Sequence, residues 1–250
     1  MNMTGVSGNR GVLLLVMAGV AAVGGLLWTF WGWHAKEALT GTDIYFWFLL
    51  CMCGELLRTT SSSGKATSTM AACPHIASLL VLSRPEAMAV VGISNVVAGR
   101  LVHHRSWAQS AFEAGALMCV VGLARIVFDA LAVDGWRPLA LVAAGHYVPV
   151  LAAAAVYFVG AFAARFGWTT AEEGDLSTAR QVQFGPGFEF LSAGTLLSLG
   201  MLLAIQFKLT GAMGAMVVVI PVVAAKYGLD LFAQARSGRR PIESGLRAAA

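Results

Sequence analysis

The sequence predicts an all-α fold, a polytopic transmembrane helical bundle of about eight spans (seven if one break closes), with both termini in the cytoplasm. Three observations predict it. Only 12% of the 250 residues are charged and 58% are hydrophobic, whereas a soluble domain carries about twice that charge. Continuous apolar runs, near the ~20 residues that cross a hydrocarbon layer, recur along the whole chain. Lys and Arg concentrate in alternate connections between those runs. A β-barrel is excluded because its strands alternate polar and apolar residues in short segments.

The first run, 11–33, is too long for a signal-peptide core and lacks a clear small-residue cleavage site, so it reads as a retained helix. Runs at 42–57, 66–83 and 87–102 give the second to fourth spans, and 107–133 and 139–165 the fifth and sixth. The longest polar connection, 167–187, carries Glu172, Glu173 and Asp175 and ends in Gly185-Pro186-Gly187, a turn signal. It is too short for a soluble domain. The last apolar stretch exceeds one crossing, so a tight turn at Lys208-Leu209-Thr210-Gly211 divides it into spans at 188–207 and 209–232. Residues 1–235 form one transmembrane domain and 236–250 a short basic cytoplasmic tail.

With the N-terminus inside, the inner connections hold Arg10, Arg58, Lys65, Arg100, Arg105, Arg165, Arg180 and Lys226, and the tail adds Arg236, Arg239, Arg240 and Arg247. The outer connections hold only Lys36, Arg84, Arg137 and Lys208. The net charge of +4 thus reflects basic cytoplasmic loops, and nucleic acid is not an expected partner. Trp28, Trp31, Trp33, Trp47 and Trp136 fall near the outer boundary and Trp107 and Trp168 near the inner one, as interfacial belts do.

Ionisable groups within spans are costly and are site candidates by default. Glu55, Asn95, Arg100 and Glu113 share one membrane depth on neighbouring helices and read as a polar cluster, structural or ligand-binding. Arg125 and Asp129, four residues apart, read as an ion pair on one helix face. His75 and His146 lie centrally in their spans and are the candidates for ligating haem or a chlorophyll-type magnesium, although histidines bonded to carbonyls are commoner. His103 and His104 are adjacent, point apart and do not suit one metal. Cys51, Cys53, Cys73 and Cys119 form no CxxC pair and read as small core residues. Gly24, Gly25, Gly194, Gly200, Gly211 and Gly214 read as sites of close helix packing. There is no HExxH, GxSxG or phosphate-binding loop, so no catalytic residue and no metal site are expected.

The stretch from Gly54-Glu55-Leu56-Leu57 to Phe112-Glu113-Ala114 resembles the membrane sensor region that precedes HD and HD-GYP phosphohydrolase domains in bacteria. Glu55, the Ser-Ser-Ser-Gly run at 61–64, Pro85, Arg100, Trp107 and Phe112 sit at matching places. Glu113 stands where that family tends to have Asn. The last two runs resemble the family's final helices through Pro221, Lys226, Tyr227 and Phe232. The resemblance implies a module that passes a signal to a cytoplasmic enzyme, but the phosphohydrolase domain and its His-Asp ligands are not in this sequence. The expectation is therefore a non-enzymatic, multi-pass protein of the bacterial inner membrane. It would act as a signal-receiving or accessory subunit through the lipid bilayer and other integral membrane proteins, for instance in a respiratory or photosynthetic assembly. No cofactor is expected on that reading. The alternatives are a component of a small-molecule transporter, similar to vitamin-uptake substrate-binding subunits and lined by Glu55, Asn95, Glu113 and His146, and a haem- or chlorophyll-binding protein using His75 and His146.

Overall fold

The computed structural model describes residues 4–32, 41–60, 67–132, 147–173 and 186–248. Among these residues seven helices and one small hairpin follow in order: α1 Thr4–Gly32, α2 Gly41–Leu56, β1 Arg58–Thr60, β2 Thr67–Thr69, α3 Ala72–Val81, α4 Arg84–Leu101, α5 Trp107–Leu131, α6 Tyr147–Glu173 and α7 Pro186–Ala248. Four helices contain stretches long and apolar enough to cross a membrane: Gly11–Trp31, Trp107–Leu131, Tyr147–Glu172 and the 39-residue stretch Phe190–Gly228. Large apolar side chains such as Val20, Phe30, Val159 and Val217 face outward, which suits a lipid solvent and would be costly in water.

α5 is the hub and packs against α1, α4 and α6. The approach of α1 is closest at Gly115, where an added Cβ would collide with the carbonyl oxygen of Ala21. Small residues at such crossings bring backbones together where lipid offers no hydrophobic drive. Gly25 faces Gly115 in the same crossing, and Gly200 brings α7 onto the Cys73 carbonyl of α3. Gly24 and Gly194 have open space instead, and Gly214 meets only Thr210 of its own helix. Methionines fill the gaps left by other glycines, Met118 against Gly92 and Met88 against Gly122.

The third element departs from expectation. The run 66–83 is a strand followed by a 10-residue helix, about 15 Å long and half the thickness of a bilayer core. Thr67, Ser68 and Thr69 pair antiparallel with Arg58, Thr59 and Thr60, since β-branched and hydroxyl side chains favour extended backbone. The Met70 N–H donates to Leu57 O at 3.1 Å and closes the hairpin. α3 is buried almost throughout, between α2 and α7.

The break expected at 208–211 falls within α7 as a kink at Gly211 (φ 70°, ψ −163°) rather than as a connecting turn. Only glycine reaches that backbone region without strain. Past it, Ala215 and Val218 return to the core. A second correction concerns the aromatic belt. Trp47 is fully buried against Phe46 and Phe207, and Trp168 is buried against Phe112. Trp31 and Trp107 are exposed as an interface requires. Trp33 and Trp136 lie outside the described residues. Among the cysteines Cys51 and Cys73 are buried, Cys119 is half-buried and Cys53 is exposed, all as free thiols.

Gly115→Ala is expected to lower the melting temperature of the detergent-solubilised protein, a cost of about 1–3 kcal/mol for forcing two backbones apart. Gly24→Ala, where nothing lies within 4 Å of the new methyl, is the matched control and leaves the melt unchanged.

Candidate functional site

Three polar groupings interrupt the apolar interior. The first centres on Glu55 at the end of α2, only 4% exposed. Asn95 Nδ2 of α4 donates to Glu55 Oε1 at 3.2 Å. His103 Nε2, in the α4–α5 connection, donates to the Glu55 backbone carbonyl at 3.2 Å. That carbonyl belongs to the last turn of α2 and has no partner within its own helix. Arg105, Glu113 and Arg165 all lie within electrostatic reach of the Glu55 carboxylate. Five elements thus converge on one buried acid.

Glu113 of α5 joins the grouping through Arg105, whose Nη1 donates to Glu113 Oε2, and through Gln109 Nε2, which donates to Oε1 at 2.9 Å. Arg100 plays a different part from the one the sequence suggested. Its Nη1 donates to the Arg105 backbone carbonyl, and its guanidinium lies 4.4 Å from the centroid of the Trp107 ring, a cation–π contact. Arg100 therefore shapes the loop, and Arg105 supplies the counter-charge. The loop also depends on His104, whose φ of 51° is left-handed and lets the Arg105 N–H reach back to Gly99 O at 2.9 Å. His103 and His104 do point apart: one caps α2 and the other is exposed.

The second grouping sits deeper. His75 of α3, 1% exposed, shares a 2.8 Å hydrogen bond between Nδ1 and the hydroxyl of Tyr157 on α6. Ser78 Oγ donates to the His75 carbonyl at 2.8 Å, and Cys51 lies near the Ser78 side chain. Tyr157 in turn lies within electrostatic reach of Glu55 and Cys51. His146, the proposed partner of His75, lies outside the described residues. Among the described residues no group of three or more His, Cys, Asp or Glu side chains could hold a metal ion.

The third grouping is the Arg125–Asp129 pair on α5, with Nε 3.0 Å from Oδ1. The pair is real, but its main contact is with α3. Arg125 Nη1 donates to Leu79 O at 2.6 Å and to Leu82 O at 3.0 Å. These are C-terminal carbonyls of a buried helix, and a cation there also suits the negative end of the helix dipole. The next helix begins immediately, with the Ser83 N–H and hydroxyl both donating to Glu86 Oε2 at 3.0 and 2.7 Å. The α3–α4 turn is thereby satisfied inside the protein.

No protein family, curated protein or solved structure matches the chain. The likeness to the phosphohydrolase-linked sensor region therefore stands on the quoted residues alone. Three participants escaped the sequence reading. In the sequence Arg105 reads as a loop charge, Tyr157 as apolar span material, and Arg125 as a partner of Asp129 only. Pro85 and the Ser-x-x-Glu of Ser83–Glu86 were the one local signal, a capping pattern marking a helix start within an apolar run.

Arg125→Met is expected to destabilise the protein by about 2–3 kcal/mol, since it strands two buried carbonyls. Asp129→Asn should cost under about 0.5 kcal/mol, because that side chain is 53% exposed and exposed pairs contribute little. Chemical denaturation in detergent distinguishes the two. At His104, glycine should hold or raise the melting temperature and valine should lower it, following the cost of left-handed backbone for a β-branched residue.

Proposed function

We propose that the chain is a multi-pass integral protein of a bacterial inner membrane, both termini cytoplasmic, acting as a non-enzymatic signal-receiving or accessory subunit. The observation that carries the reading is the convergence of α2, α4, the α4–α5 loop, α5 and α6 on the buried carboxylate of Glu55. A buried acid in an apolar bundle is costly and marks function by default. It also couples the elements that hold it: a shift of any one changes the interactions of the rest. This is the arrangement a module needs if it is to convert an event in one helix into a displacement of another.

Topology follows from the charges. The end of the bundle that holds Glu55 also gathers Arg100, Arg105 and Arg165, which suits the cytoplasmic side. The described helices supply the crossings unevenly: α1, α5 and α6 give one each, and α7 has the length of two joined at Gly211. α2 and α4, 16 and 18 residues long, complete the bundle beside the short α3.

Affinity purification from native membranes is expected to recover the protein with stoichiometric membrane partners, identified by mass spectrometry. A lone, stable monomer would refute the accessory reading. Single cysteines placed at 104 and 234, in a background lacking native thiols, should both resist an impermeant maleimide in intact cells and react after permeabilisation.

A further inference from the structure

Helix register places the three polar groupings in order along the bundle. On α2, Trp47, Cys51 and Glu55 recur every four residues, so they share a face and step along the axis by about 6 Å each. Beside them on α3 run His75, Ser78 and the Leu79 carbonyl, which Arg125 holds. Glu113 at one end and Asp129 at the other are 16 positions apart on α5, about 24 Å along the helix. Charged or hydrogen-bonding groups therefore succeed one another from one end of an otherwise apolar interior to the other.

Three side chains in that line keep a buried polar atom without a partner among the described residues: Asn95 Oδ1, His75 Nε2 and Trp47 Nε1. Asn95 is 3% exposed, His75 1% and Trp47 0%. An unmatched buried donor or acceptor costs about 1–3 kcal/mol, and native proteins usually meet such groups with internal water. Buried atoms of Arg84, Arg100, Ser110 and Thr170 also lack a partner among the described residues, but Asn95, His75 and Trp47 lie along the line itself, and water is the partner small enough to enter a packed bundle.

We propose that this line of side chains and internal water is a proton path through the bundle, with Glu55 as the group that takes up and releases the proton. At one end a water-borne proton protonates the Glu55 carboxylate. Transfer onward through the Tyr157 hydroxyl and the His75 imidazole returns Glu55 to its ionised form, and the proton leaves to water beside Arg125 and Asp129. Only O–H and N–H bonds are made and broken, and no electron moves. Glu55 faces Cys51 from its own helix, Asn95 from α4, and His103 and Arg105 from the loop. From α5 and α6 it faces Glu113, Arg165 and Tyr157. Intramembrane acids and histidines in series are the usual material of proton relays. The path rests on the membrane-spanning reading but not on signalling.

Purified protein is reconstituted into phosphatidylcholine vesicles holding a pH-sensitive dye, and a potassium diffusion potential is imposed with valinomycin. Proton entry should exceed that of protein-free vesicles by about tenfold, fall to background in Glu55→Gln, and drop several-fold in Tyr157→Phe. Flux at background in the wild type, or unchanged in either variant that elutes and melts as the wild type does, overturns the proposal. Should Glu55→Gln fail to fold, Tyr157→Phe alone carries the test. Flotation on a density gradient separates the two levels: protein that does not float with vesicles refutes the spanning reading, whereas protein that floats without conducting refutes only the path.

Discussion

A helix that ends inside an apolar bundle leaves carbonyls that lipid cannot meet, and α3 ends there. Its 10 residues are about half of a crossing, so its C-terminal oxygens come to rest among side chains rather than at an interface. Arg125 reaches across from α5 to two of them. Much else depends on this contact. It fixes α3 against the hub helix and lets α4 start at once from Ser83. It also leaves α3 free to face α7, with which it makes its main packing surface. Without a donor from α5, the chain would have to lengthen α3 to the interface, and the compact turn into α4 would be lost.

The opposite end of α3 shows the same constraint solved with backbone. Rather than continue as helix, the chain inserts a two-stranded hairpin whose N–H and C=O groups pair with one another. Gly54 makes room for Pro74 and Ala71 where α2 and α3 meet, at 2.8–2.9 Å from an added Cβ. Glu55 is the next residue, so the hairpin's footing and the buried acid are set by the same turn of helix. His103 on the Glu55 carbonyl and Asn95 on its carboxylate then tie α2 to α4. The polar cluster thus finishes one helix as well as holding a charge.

Much of the architecture could be read from hydropathy because a lipid solvent forces apolar residues into runs of fixed length. The positions of α1, α2, α4 and α5 follow from that alone, whereas α6 runs on to Glu173, eight residues past the expected end, with Trp168 donating to Glu172 inside the helix. Hydropathy averages over a window, however, and 66–83 averages a polar strand with a very apolar short helix into one apparent span. The same averaging concealed Trp47, whose position near a run's end suggested an interface and whose ring lies in the core against Phe207. At the site, Glu55, Asn95 and Glu113 were legible because a charge or amide inside an apolar run is conspicuous. Their partners were not. Arg100, in the last turn of α4, and Arg105, in the loop, are cations five residues apart, and the left-handed bend at His104 lies between them. Tyr157 is 82 residues from His75, and no local pattern links them.

The basic loop of Arg100, His103, His104 and Arg105 brings these strands together. Its composition first reads as a topological signal, a set of charges that keeps one end of the bundle on the cytoplasmic side. In the fold each residue has a second use: Arg100 braces the loop over Trp107, His103 caps α2, His104 supplies the bend and Arg105 neutralises Glu113. Charges chosen only for orientation could sit anywhere in the connection. Here all four act within one short turn, with two of them directed at Glu55 and Glu113. On the proposed orientation, the loop whose charges set which way the protein faces is also the loop that determines the surroundings of Glu55, so the two properties are altered together.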